Sequence, residues 1–185
     1  MLIGKRAFLP IALCALVCGC EHPAANRLSA VSRGPTSGVS YIGYEYEGVV
    51  PDDTLPNGVL VSGGALIGDV GASSYGLSLV SHGLASMLWL EHAIGGTNRH
   101  IHWRVDAALD LPVLPHGQAL VWGALCSING TNDSEIIAAV VHTDTERYTQ
   151  VVRAWRADRQ QHTFRGMDTS GISRENEGYG ADDSE

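Results

Sequence analysis

Residues 100–109 read HIHWRVDAAL, with Ile101, Trp103, Val105 and Ala107 at every second position and His100, His102, Arg104 and Asp106 between them. Successive side chains of a strand point to opposite faces, so this stretch is expected to be a β-strand with one face in a core and one polar. A helix would gather its apolar residues three and four apart instead.

Working towards the N-terminus, Gly95-Gly96-Thr97-Asn98 reads as a hairpin loop, which makes residues 84–94 (LASMLWLEHAI) the partner strand. Leu84, Met87, Leu88 and Glu91 would also suit a helix, and the loop decides for strand. Residues 75–81 (YGLSLVS), the glycine-interrupted 59–70 (VLVSGGALIGDV) and the aromatic 41–50 (YIGYEYEGVV) continue the pattern, broken by Pro51-Asp52-Asp53 and Pro56-Asn57-Gly58. Gly63, Gly64, Gly68 and Gly71 do not have the spacing of a dinucleotide-binding loop.

Towards the C-terminus, Pro112 and Pro115-His116-Gly117 form a turn, and 119–126 (ALVWGALC) is a buried strand. Asn129-Gly130 is a turn signal, and 135–142 (EIIAAVVH) is the antiparallel neighbour. Then the period changes. Tyr148, Val151, Val152 and Trp155 fall at i, i+3, i+4 and i+7, which predicts a helix, with Thr143 and Glu146 at capping-box spacing and Arg147, Arg153, Arg156 and Arg159 on its solvated face. Residues 162–165 add a short strand, and the Gly-rich, acidic 166–185 is expected to be disordered or loosely docked. The expected fold class is α+β: a strand-dominated, antiparallel, meander-like sheet with one C-terminal helix. Trp89, Trp103 and Trp122 are expected core residues, and so is Cys126, in its apolar run.

The chemistry-bearing residues are few. His100 and His102 project from one strand face, a geometry open to Zn²⁺ or Cu²⁺, with His92 or Glu91 across the hairpin as third-ligand candidates. Eight histidines in the chain make a solvated strand face the stronger expectation for the pair, so no metal and no cofactor is expected. There is no G-x-S-x-G and no H-E-x-x-H; Ser81-His82 is only a dipeptide, and Asp52-Asp53 and Asp182-Asp183 lack calcium-loop spacing. No catalytic group is expected. The formal charge of −8 argues against nucleic-acid binding, and Lys5 is the only lysine, so neither a P-loop nor a lysine Schiff base lies downstream.

The first twenty residues carry the one specific motif. Lys5 and Arg6 precede an apolar run, 7–17 (AFLPIALCALV), too short for a resident membrane helix, and the run closes on Val17-Cys18-Gly19-Cys20. This segment resembles the leader of bacterial lipoproteins, with a branched residue at −3, a small one at −1 and cysteine at +1. Cys18 at −2 and Pro10 within the run depart from the commonest pattern. The resemblance implies cleavage before Cys20 and a lipid on its thiol, and Glu21, not being aspartate, implies transfer to the outer membrane. The alternatives are an inner-membrane anchor or a secreted periplasmic chain.

The expected organisation is therefore a signal peptide over 1–19, a lipidated cysteine and tether over 20–40, a single α+β domain over 41–165 and a tail over 166–185. Without the leader the chain keeps ten arginines against twenty acids, a formal charge of −10. Cys126 would then be without an intramolecular disulfide partner. The expected function is a non-catalytic binding domain held on the membrane by its lipid, facing the periplasm, with a protein or envelope partner. An immunity or inhibitor protein acting on a toxin or lysozyme-like enzyme is the alternative, and a metal-dependent envelope enzyme ranks third.

Overall fold

The computed structural model describes residues 37–48, 55–56, 58–68, 74–97 and 100–180. The leader, Cys20 and both Asp-Asp pairs lie outside them. The described residues all belong to one compact unit. After a short 3-10 turn, Gly38–Tyr41, thirteen strands follow among the described residues: β1 Glu45–Glu47, β2 Val59–Ile67, β3 Tyr75–His82, β4 Ala85–Thr97, β5 His100–Asp110, β6 Gln118–Trp122, β7 Cys126–Ile128, β8 Thr131–Asn132, β9 Ile136–Val141, β10 Arg147–Tyr148, β11 Val151–Asp158, β12 Thr163–Met167 and β13 Ile172–Glu175. Among the described residues no helix is long and apolar enough to cross a membrane.

The strands form three antiparallel sheets in place of the single one expected. The first runs β1-β5-β4-β3-β2, a meander with β1 returning beside β5. The second runs β12-β11-β9-β6, and the third β10-β13-β7-β8. Sequence alternation explains their stacking. On β4, Leu88 and Leu90 meet Ile137 and Ala139 of β9 and Trp155 and Ala157 of β11 between the first two sheets. Met87 and Trp89 point the other way, under Tyr41, Tyr44 and Tyr46. The second sheet is the middle layer. Its β9 run IIAAVV is apolar on both faces, because Ile136, Ala138 and Val140 pack against Cys126, Tyr148 and Ile172 of the third sheet. Trp89 and Trp103 are buried, and Trp122 is half-buried against the inter-sheet core.

The expected C-terminal helix is strand, and its apparent period has a specific origin. Tyr148 belongs to β10 of the third sheet and packs into the core between that sheet and the second, whereas Trp155 on β11 faces the first sheet. Between them the ladder with β9 shifts register at Val152, which is left exposed. Two strands, two cores and a bulge thus reproduce helical spacing by coincidence. Thr143 caps nothing; its hydroxyl bonds that of Thr145, which bonds the Arg147 carbonyl. Arg147 and Arg156 are held in ion pairs and Arg153 stacks over Trp155.

The tail is also corrected. Gly166 and Met167 finish β12, and β13 is an interior strand of the third sheet, pairing Ile172 with Ile128 and Tyr148 with Arg174. Its acids pair with arginines, Glu175 with Arg147 at 3.1 Å and Glu177 with the neighbouring Arg174 at 2.8 Å. At the other end, Ser37 and Gly38 already bond the Asp110 carboxylate, inside the stretch read as tether.

Candidate functional site

Strand β5 does not keep its alternation to the end. Leu90 of β4 pairs with Ala107 while Glu91 pairs with Val105, so Asp106 is the extra residue of a bulge. Val105 stays on the face under the tyrosines, and Ala107 turns into the inter-sheet core instead of sharing that face as the sequence suggested. The bulge aims the Asp106 carboxylate at His92. Their Oδ2 and Nδ1 atoms are 2.7 Å apart, and the Nδ1 of His162 reaches the same oxygen at 2.6 Å.

His162 comes from the second sheet, on the turn joining β11 to β12. It holds φ 50°, a left-handed conformation that few non-glycine residues adopt. The Asp158 side chain stabilises this turn by accepting from the Gln161 N–H at 2.9 Å. Asp106 is nearly closed off, its side chain 8% exposed, against 27% for His92 and 47% for His162. Among the described residues neither ring makes another hydrogen bond.

Tyr75 packs beside both rings, its centroid 5.9 Å from that of His92 and 6.0 Å from that of His162. Beyond it opens a charged cleft of about 820 Å³, lined by His162, Tyr75, Asp158, Glu135, Arg156 and Arg159 among others. There the Glu135 carboxylate is clamped by two guanidiniums, Arg159 at 2.6 Å and Arg156 at 3.0 Å, and Arg156 also reaches Asp133 at 2.6 Å. Those contacts hold the Arg156 guanidinium above its ordinary pKa in spite of the desolvation that opposes it.

The residues picked from sequence are elsewhere. His100 and His102 flank Glu47 of β1, at 3.1 and 3.8 Å, on an open face where the imidazoles are 71% and 51% exposed. Neither third-ligand candidate joins them. His92 turns to Asp106, and Glu91 is buried on the opposite face, accepting hydrogen bonds from Ser78 at 2.6 Å and Tyr46 at 2.7 Å. Desolvation raises the Glu91 carboxyl above its usual range, the two hydroxyls pulling against it. Cys126 is fully buried and its thiol is pushed up to about 11, chiefly by desolvation, so it is no thiolate at neutral pH. Reading sequence pairs on one strand found His100 and His102. It missed His162, which is 56 positions from Asp106 and joins it only through sheet stacking.

No family model matches this sequence, no curated protein matches it, and no solved structure matches its fold.

Proposed function

We propose that the chain is a lipoprotein of the bacterial outer membrane, anchored through Cys20, whose β domain faces the periplasm and binds another macromolecule without catalysing a reaction. The observation that carries this reading is the sequence Val17-Cys18-Gly19-Cys20 at the end of an eleven-residue apolar run behind Lys5 and Arg6. Acyl chains contribute about 0.8 kcal/mol per buried CH₂, so an acylated Cys20 with a second and third chain exceeds the two signals that stable membrane anchoring needs. Binding rather than catalysis is favoured by the buried state of Cys126 and by the capture of the cleft's arginines in pairs with Asp133 and Glu135.

The test is expression of the full-length chain and a Cys20→Ala variant in a Gram-negative host fed labelled palmitate. Label on the wild type alone, with enrichment in the outer membrane, supports the reading and makes crosslinked envelope proteins the route to the partner. Equal release of both forms as soluble protein refutes it.

A further inference from the structure

We propose that His92, Asp106 and His162 form a binding site for a divalent transition-metal ion, Zn²⁺ by preference, that clips the first sheet to the second. This stands independently of the lipid anchor. Among the described residues this is the group that brings three potential ligand atoms within 4.8 Å of one another. Two imidazoles and a carboxylate are a donor set suited to Zn²⁺, which also accepts a fourth ligand from water or from a bound molecule.

The geometry needs little change to accept the ion. The imidazole planes are inclined at 69° with centroids 5.9 Å apart, so the rings converge on the carboxylate from different directions rather than stacking. Ligand atoms at about 2.0–2.2 Å from a four-coordinate Zn²⁺ stand roughly 3.3–3.6 Å from one another. Loading the site therefore opens the 2.6 and 2.7 Å contacts by about 1 Å or less. An ionised carboxylate only accepts, so each Nδ1 carries its ring proton while bonded to Asp106. Coordination at Nδ1 requires only that the neutral ring hold that proton on Nε2.

Charge and placement favour the same conclusion. Asp106 is a nearly enclosed carboxylate with no arginine among its partners in the described residues, and a divalent cation supplies the compensating charge that two imidazoles give only in part. Two ligands sit on adjacent central strands, and the third is fixed by a turn in an unusual backbone conformation, so the site is built largely on rigid elements. His162 and Tyr75 also line the cleft, which places the remaining coordination position where a ligand from solvent can reach it.

The experiment uses the full-length chain in detergent, stripped with a chelator and titrated with Zn²⁺ by calorimetry, with melting followed in parallel. The expected result is a single Zn²⁺ per chain and a higher Tm on loading. Asp106→Asn and His162→Asn should each weaken binding by a factor on the order of 10–100 or more, by comparison with losses at metal-supporting residues. Asparagine tolerates the left-handed backbone at position 162, so that variant keeps the turn, and its side chain is half-exposed. If Asp106→Asn does not fold, His162→Asn decides alone. A His100→Ala/His102→Ala double variant should bind as the wild type does. Absence of Zn²⁺ binding by the wild type, wild-type affinity in either asparagine variant, or loss of binding in the double variant overturns the proposal.

Discussion

Replacing Glu91 with glutamine should change how the stability of this protein depends on pH, and the sign can be worked out. The Glu91 residue is 4% exposed, and burial raises its carboxyl above the reference value of 4.5. The folded chain therefore keeps a proton that the unfolded chain has released at the same pH. That contribution to stability is complete below about pH 4.5 and is lost as the pH rises through the folded-state pKa. One proton limits the slope to about 1.4 kcal/mol per pH unit.

Glutamine keeps the volume and, like the protonated carboxyl, presents one acceptor and one donor to the Ser78 and Tyr46 hydroxyls. At low pH the two chains should therefore differ by no more than about 1 kcal/mol, the net value of one hydrogen bond. Above it, the variant should gain on the wild type with rising pH. The assay is urea denaturation of both chains at steps from about pH 4 to about pH 8, read as the difference in unfolding free energy. A wild type that gains on the variant as pH rises would refute the reasoning. It would mean that the two hydroxyl donors stabilise the carboxylate by more than burial penalises it.

Two further outcomes test the corrected C-terminal half. Ile172→Ala, at a side chain 4% exposed between β7 and the middle sheet, should cost about 2–5 kcal/mol in denaturant unfolding; a loss below about 0.5 kcal/mol would mean that β13 is only loosely docked. Cys126, fully buried with its thiol near 11, should resist alkylation in the native chain at neutral pH and react along the unfolding curve, and labelling of the folded chain at the denatured rate would contradict its place in the core.

The first sheet was legible because each of its strands carries its own instructions. The stretch HIHWRVDAAL alternates as far as Val105 and its hairpin with β4 forms, although Gly95, Gly96 and Thr97, read as the loop, pair with His102, Ile101 and His100 inside the ladder. Residues 135–142 were equally plain, a short apolar run bounded by turns. The other half was hidden by sharing. The residues of β11 divide between two cores, so neither face shows a period of two, and the bulge at Val152 completes a false helical spacing. Strand β13 has one buried apolar residue, Ile172, and owes its place to ladders with β7 and β10 that no local pattern announces.

The candidate metal site was hidden for a related reason, and the same reason explains why it exists. Had β5 kept strict alternation, Asp106 would share its face with His102 and Arg104 on an open strand surface, and Ala107 would follow Val105. The extra residue in the register moves Ala107 into the inter-sheet core and turns Asp106 towards His92 at the rim of that core. A carboxylate in such a position is costly unless it is compensated. The compensation reaches across from the second sheet, through His162 on a turn held at φ 50°. Local departures from regular strand geometry persist only where the surroundings over-determine them, and here two coincide on one oxygen atom. The bulge in β5 and the left-handed His162 are thus two halves of one device, and the cation proposed for it would tie their two sheets together.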